Sequence, residues 1–115
     1  MKIAITSQDR SDLNTAIEPR FGRARWIVVY DTESNEFSAV DNQQNVDAAQ
    51  GAGVRAARDV AELGVQAVIT GQVGPKAFTT LQAVGVSVFT GATGTVADAI
   101  NQFKAGQLIR KESPG

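Results

Sequence analysis

Val68-Ile69-Thr70-Gly71-Gln72-Val73-Gly74-Pro75-Lys76 and its later counterpart Val88-Phe89-Thr90-Gly91-Ala92-Thr93-Gly94-Thr95-Val96 decide the fold of this chain. Each stretch is an apolar run followed by Thr-Gly-x-x-Gly and a helix start, which is typical of a β-α unit in a parallel sheet. Two such turns lie side by side at the carboxyl edge, where open α/β sheets bind ligands. Because each helix start carries unpaired amides and a partial positive charge, the pattern favours a bound anion there.

The glycines of the two turns also have a plainer interpretation. Gly71 and Gly91 can end strands, and Gly74 and Gly94 can begin helices, because β-α turns use glycine in any case. The repeat on neighbouring strands favours the anion site, and the packing interpretation stays open beside it. Neither turn has the Gly-x-x-x-x-Gly-Lys-Ser/Thr pattern of a nucleoside triphosphate site.

The remaining hydrophobic pattern predicts an α/β fold with the element order β-β-β-α-β-α-β-α. Strands are predicted at 2–7, 26–30, 36–40, 67–70 and 86–90, and helices at 52–63, 75–84 and 95–105. This order is that of a three-layer ribonuclease-H-like motif, with a mixed five-stranded sheet (order 3-2-1-4-5) and three helices. It places the long loop 8–24, in which we expect one short helical turn, at the same edge as both Thr-Gly-x-x-Gly turns and all three helix starts.

The composition is that of one ordinary globular domain. The chain has 115 residues, 43% of them hydrophobic, and a net charge of −1. We assign residues 1–108 to the domain and 109–115 to a flexible C-terminal tail. The near-zero charge argues against nucleic acid and membrane partners. Residues 1–5 are too short for a signal peptide's apolar region, and no run approaches membrane-spanning length, so we expect a cytoplasmic protein. We also expect a monomer or weak dimer.

Positive charge is nevertheless concentrated in one short stretch, which contains Arg10, Arg20, Arg23 and Arg25. Arginine offers a fixed fork of donors to an anion. Lys76 stands in the first turn of a predicted helix, where a cation is unfavourable unless something negative is close. Solvated side chains are the alternative interpretation, and for a lone arginine it usually holds.

Several other chemistries lack the residues that they need. The chain has no Cys and no His, so it offers no thiolate or imidazole for a metal and no base for a hydrolytic triad. The first strand, Ile3-Ala4-Ile5-Thr6-Ser7, carries no carboxylate of the kind that a two-metal nuclease uses. Gly51-Ala52-Gly53 at the first helix permits the close approach of a bulky group, but it also fits plain helix packing.

Five motifs follow one another along nearly the whole chain: Pro19-Arg20-Phe21-Gly22-Arg23-Ala24, Asn42 after the third strand, Gly51-Ala52-Gly53, Gly74-Pro75-Lys76-Ala77-Phe78 and Phe103-Lys104-Ala105-Gly106-Gln107-Leu108. In this order they resemble the dinitrogenase iron–molybdenum cofactor biosynthesis family, and the chain is similar in form to its free-standing, orange-protein-like members. The resemblance implies a ribonuclease-H-like fold and a small carrier of metal–sulfur clusters or their precursors. It also implies donor and acceptor proteins of cluster assembly as partners, and for orange-protein-like members a molybdenum–copper sulfide cluster held without covalent ligation.

Members linked to nitrogenase often use a His or Cys near the cluster, and this chain has neither. That departure favours a preassembled anionic thiometallate, which brings its own sulfide and needs no soft ligand from the protein. We therefore predict a non-enzymatic binding protein for an anionic, molybdenum-containing metal–sulfur cluster, either molybdenum–copper sulfide or a nitrogenase-type cofactor precursor, without direct metal ligation. The predicted contacts are Arg20, Phe21, Gly22, Arg23, Asn42, Gly51, Ala52, Gly53, Gly71, Gly74, Lys76, Gly91 and Gly94.

Two alternatives from other classes stay open. One is a regulatory or scaffold module that binds protein partners through the same edge. The other is a small domain that binds a phosphometabolite.

Overall fold

A single mixed sheet organises the molecule, whose computed structural model describes residues 1–9, 12–48 and 51–114. Its strands are β1 (Lys2–Ser7), β2 (Trp26–Asp31), β3 (Phe37–Asp41), β4 (Ala67–Ile69), β5 (Ser87–Thr90) and β6 (Ile109–Lys111). They lie in the order β3-β2-β1-β4-β5-β6. The central strands β1, β4 and β5 are parallel, whereas β2, β3 and β6 join through antiparallel pairs.

The helices follow the local signals of the sequence. They are α1 (Gln43–Val46), α2 (Ala52–Glu62), α3 (Pro75–Ala83) and α4 (Val96–Lys104), with a 3-10 turn at Phe21–Arg23. Pro75 occupies the first turn of α3, where its missing N–H costs nothing. All five predicted strands and all three predicted helices are present with bounds within one residue, so the α/β class and the order 3-2-1-4-5 are confirmed.

The predicted architecture was incomplete in two places. Residues 109–111 form β6, which pairs with β5, so assigning them to a flexible tail was wrong. Three residues, two of them charged, give too short an alternation to indicate a strand. Helix α1 was also missed, because it is polar and only four residues long. The ribonuclease-H-like classification stays a prediction.

Helices cover both faces of the sheet. On one side α2 and α3 bury Phe78 and Leu81 in a core that continues into the sheet. On the other side α4 packs over Ile3 and Ile5. Because successive side chains of a strand point to opposite faces, β1 contributes to both cores. A fully buried side chain of this size contributes about 1.5–3 kcal/mol, so both layers hold the sheet. Within the described ranges, no helix is long and apolar enough to cross a bilayer.

The segment 16–21 crosses the carboxyl edge of the sheet, and we call it the crossing segment. The Ile17 amide donates to the carbonyl of Gly94 at 3.0 Å, and the Gln72 amide donates to the carbonyl of Pro19 at 2.7 Å. Both Thr-Gly-x-x-Gly turns are therefore hydrogen-bonded, through their main chain, to the same piece of backbone. These hydrogen bonds hold the crossing segment against the carboxyl edge of the sheet.

Candidate functional site

A cavity of about 570 Å³ opens at the carboxyl edge, between the 3-10 turn and the starts of α2 and α3. Three cationic residues line it: Arg20 and Arg23 from the turn, and Lys76 from α3. We call it the cationic cavity. Nine of the thirteen predicted contacts line it, namely Arg20, Phe21, Gly22, Arg23, Gly51, Ala52, Gly53, Gly74 and Lys76.

The cationic side chains of this cavity form no ion pair within the part of the chain that the structure describes, and Arg20, Arg23 and Lys76 are all exposed. The nearby Glu18 carboxylate accepts from the main-chain amide of Arg20 at 2.9 Å. The Arg23 guanidinium donates to the carbonyl of Val46 at 3.5 Å, a length at which the bond is weak. Of the described residues that line the cavity, none is Asp or Glu. Arg25 lies outside the lining, and Arg10 lies outside the described residues.

Two helix starts add to this positive character. No side chain caps α2 or α3 within the described structure, and neither helix has an acidic residue in its first turn. The amides of those turns and the partial positive charge of each helix end therefore face the cavity region without a competing carboxylate.

The amides at the start of α4 are already hydrogen-bonded within the protein, contrary to the expectation that this helix start helps to bind an anion. Thr95 and Asp98 form a capping box, in which each side chain accepts from the other residue's amide, at 3.1 and 3.0 Å. The next two amides, of Val96 and Ala97, donate to carbonyls of the loop between β1 and the 3-10 turn at 2.8 and 2.7 Å. Since Asp98 already supplies a negative charge, α4 does not contribute to an anion site.

The three glycines Gly71, Gly91 and Gly94 line a second cavity, of about 500 Å³. It has no ionisable residue among its described lining, and we call it the neutral cavity. Both Thr-Gly-x-x-Gly turns thus contribute to one cavity, as expected, but the predicted cations Arg20, Arg23 and Lys76 line the other one. The two turns are bonded directly to each other, since the Gly91 amide donates to the carbonyl of Gly71 at 3.0 Å, and the crossing segment is bonded to both.

Close backbone contacts account for two of the predicted glycines. A Cβ at Gly71 would lie 2.6 Å from the carbonyl oxygen of Pro19, and a Cβ at Gly22 would lie 2.9 Å from the Cα of Gly53. Only glycine allows the crossing segment and the 3-10 turn to pack this closely. The packing interpretation is thus sufficient for these positions, even where they line a cavity.

Phe21, although it borders the cationic cavity, anchors the 3-10 turn in the hydrophobic core. It is 1% exposed and belongs to the core beneath α2 and α3. Its amide donates to the carbonyl of Gln72 at 3.0 Å. The buried ring holds the neighbouring Arg20 and Arg23 at the surface on either side of it.

Asn42 lines neither cavity, and the structure gives it a supporting position. It is 2% exposed, its Nδ2 donates to the carbonyl of Ala24 at 2.7 Å, and its Oδ1 accepts from Asn45 at 2.7 Å. These bonds hold the backbone that follows the 3-10 turn, and so they position Arg23 without direct access to the cavity.

Sequence reasoning overlooked several lining residues, of which Gln72 is the most informative. It lines both cavities and stands inside the first Thr-Gly-x-x-Gly turn, so the motif itself was the available signal. Val54, Val73, Pro75 and Ala77 add apolar surface to the cationic cavity. No pattern in the sequence distinguishes them from ordinary core positions.

The donor set excludes one way of holding a metal. The sequence has no Cys and no His, and the described ranges contain no group of three or more Asp and Glu residues placed to hold a metal ion. Arginine, lysine and main-chain amides donate hydrogen bonds and do not ligate metals. The arrangement is therefore suited to a whole anion.

Comparison with known proteins identifies a family and similar chains. The model of the family described as dinitrogenase iron–molybdenum cofactor matches residues 1–106. An uncharacterized protein of Methanocaldococcus jannaschii is 28% identical over 114 residues, which cover 97% of this chain and 92% of that protein.

Solved structures that are similar over nearly the whole chain include the following two. The apo form of the orange protein from Desulfovibrio gigas is 37% identical with a TM-score of 0.93, covering 99% of this chain and 95% of that one. The NMR structure of a provisionally assigned NifB protein from Thermotoga is also 37% identical, with a TM-score of 0.82 and coverage of 95% and 91%.

Proposed function

Because this chain belongs to the dinitrogenase iron–molybdenum cofactor family, we propose that it is a non-enzymatic carrier of an anionic metal–sulfur cluster. Arg20, Arg23 and Lys76 supply the charge, and the amides at the starts of α2 and α3 complete the cradle. The cluster is the cargo of the protein, taken up and released whole. Proteins of cluster assembly are the donors and acceptors that such a carrier requires.

The observation that carries the proposal is the charge of the cationic cavity. Three unpaired cations and two uncapped helix starts surround about 570 Å³ without a lining carboxylate. Like charges held together destabilise an empty site and favour an anion in it. A charge-assisted hydrogen bond contributes about 1.5–3 kcal/mol, and each 1.4 kcal/mol changes the dissociation constant about tenfold. A few such bonds therefore suffice for micromolar affinity.

The chemistry of the donors suits a cluster that carries its own sulfide. Soft metals select thiolate or imidazole when the protein must ligate them directly. Neither ligand exists in this chain, whereas guanidinium, ammonium and amide groups can all donate to the outer sulfur atoms of a thiometallate. We infer a molybdenum-containing cluster, with molybdenum–copper sulfide as the leading candidate. The likeness to the orange protein and the family's iron–molybdenum description support this choice.

The experiment adds tetrathiomolybdate, with and without copper(I), to the purified protein and follows the visible charge-transfer bands after desalting. Colour should stay with the protein, and affinity should fall as salt rises. Arg23→Ala and Lys76→Ala should each weaken binding about tenfold or more. Arg25→Ala is the matched control, since Arg25 is exposed in the same stretch but does not line the cavity. Binding that survives loss of both Arg23 and Lys76 would contradict the proposal.

The same cations can also attract a phosphate group, which keeps the phosphometabolite alternative testable. Inorganic phosphate, pyrophosphate and a nucleotide serve as the competing probes. A ligand at a hundredfold excess over its dissociation constant raises the unfolding free energy by about 2.7 kcal/mol. A thermal shift with a phosphate probe and none with tetrathiomolybdate would favour the alternative.

A further inference from the structure

The cationic and neutral cavities meet at Gln72, which lines both. Behind it, the wall between them is made of main chain. The Gln72 amide donates to Pro19 at 2.7 Å, and the Gln72 carbonyl accepts from Phe21 at 3.0 Å. A Cβ at Gly71 would lie 2.6 Å from the Pro19 carbonyl oxygen, so no larger residue fits at this contact. The main-chain wall is therefore fixed, and only the side chain of Gln72 can change its conformation.

Gln72 itself is exposed, in contrast to the backbone that holds it. Its carboxamide has two N–H donors and one acceptor oxygen, and it carries no charge. An exposed side chain of this length changes rotamer at little cost. It can therefore donate to an anion in the cationic cavity and can also turn toward the neutral one.

The two cavities differ in what they can hold. The cationic cavity has three charged lining residues, whereas the described lining of the neutral cavity has none and adds about 500 Å³. An anion with one metal centre needs only the cationic cavity. A longer, polynuclear anion can keep its most negative end there and extend its remaining length over Gln72.

We propose that Gln72 is a specificity-determining residue, which donates to the bound anion and limits how far a longer anion extends into the neutral cavity. The proposal rests on the carrier function argued above. It makes the length of the anion, in addition to its charge, a property that the protein selects.

The test measures the dissociation constants of tetrathiomolybdate alone and of its copper(I) adduct for two variants. Gln72→Glu places a carboxylate beside the cations and should weaken binding of both probes at least tenfold. Gln72→Trp blocks the junction and should weaken binding of the adduct at least tenfold more than that of tetrathiomolybdate. Gln66→Glu and Gln66→Trp are the controls, because Gln66 is exposed just before β4, at the opposite edge of the sheet. They should stay within twofold of the parent protein.

A third variant covers the case in which Gln72→Trp does not fold. Gln72→Ala removes bulk from the junction, so it should shift the ratio of the two affinities toward the longer anion. An unchanged ratio, or a Gln72→Glu variant that binds like Gln66→Glu, would overturn the role of Gln72 and leave the carrier function standing. If the parent protein binds neither probe, both proposals are overturned together.

Discussion

The side-chain amide of Asn45 donates a 2.6 Å hydrogen bond to the carboxylate of Asp59, and this bond joins α1 to α2. The same amide also donates to Asn42, which in turn donates to the carbonyl of Ala24 at the end of the 3-10 turn. A chain of polar contacts thus connects α2 to the backbone beside Arg23. Two of its members, Asn42 and Asn45, are buried, so losing one of them leaves a partner without a hydrogen bond.

Replacement of Asn42 should therefore destabilise the fold. In Asn42→Ala, the carbonyl of Ala24 loses its side-chain donor and Asn45 loses an acceptor. We expect the free energy of unfolding to fall by about 1–3 kcal/mol. Urea denaturation measures the change. The neighbouring Gln44 is exposed, so Gln44→Ala should stay within about 0.5 kcal/mol of the parent protein. Equal effects of the two substitutions would show that the polar chain is unimportant.

Lys76 should show opposite effects on stability and on binding. It lies in the first turn of α3, where the partial charge of the helix repels a cation. Lys76→Glu should raise the unfolding free energy of the ligand-free protein by about 0.3–1 kcal/mol at low salt, and should abolish binding of tetrathiomolybdate. Lys104→Glu, in the last turn of α4, is the opposite control, since a cation is favourable there and its loss should destabilise. A destabilised Lys76→Glu protein would contradict this explanation.

The close contact beneath Gly71 predicts that an alanine destabilises the fold more at Gly71 than at Gly74. Gly71→Ala places a Cβ against the backbone of Pro19, and overpacking of this kind costs about 1–3 kcal/mol. Gly74 has φ −72°, and a Cβ there would meet nothing within 4 Å. Gly74→Ala should therefore cost less, about 1 kcal/mol at most, through the N-cap position alone. Thermal unfolding of both variants makes the comparison, and a reversed order would be inconsistent with the structure.

The Asp31 carboxyl should make the stability of the fold depend on pH in the acid range. The Glu33 amide donates to its carboxylate and is the main cause that lowers its pKa below the ordinary 3.8. Desolvation opposes this effect, and the Ser34 amide, the N-terminal ammonium and Lys2 each lower the pKa by less. A carboxyl with a lowered pKa stabilises the folded state above its unfolded pKa and stops doing so as the pH falls through the folded pKa. The contribution of Asp31 should thus be present above about pH 4 and lost below it.

The Asp31→Asn variant tests this assignment. Its unfolding free energy should be lower than that of the parent protein at neutral pH, and the difference should shrink below about pH 4. Glu36→Gln, at an exposed position of the same hairpin, should leave the pH profile parallel to that of the parent. A parallel profile for Asp31→Asn as well would contradict the assignment.

Local signals made most of the fold predictable. Pro75, the Thr95–Asp98 box and the apolar repeats act within a few residues, so their outcome does not depend on distant parts of the chain. β6 escaped prediction because Ile109–Lys111 becomes a strand only through the free edge of β5, a contact that no pattern within three residues encodes. Tertiary pairing of this kind overrides weak local preference.

The charged residues of the candidate site were predictable from the sequence, whereas the division of the edge into two cavities was not. Arg20, Arg23 and Lys76 were chosen for their charge, and they do line one cavity. Gly71, Gly91 and Gly94 line another cavity, to which the crossing segment contributes Ile17 and Pro19. The position of that segment depends on hydrogen bonds between residues far apart in sequence, such as Ile17 to Gly94. Motif spacing contains no information about them.

The crossing segment has a consequence for how this fold diversifies. Its bonds to both turns use peptide groups, which every sequence carries, so the outline of the edge is independent of most of the residues placed along it. The side chains around the two openings can therefore be exchanged while the frame stays the same.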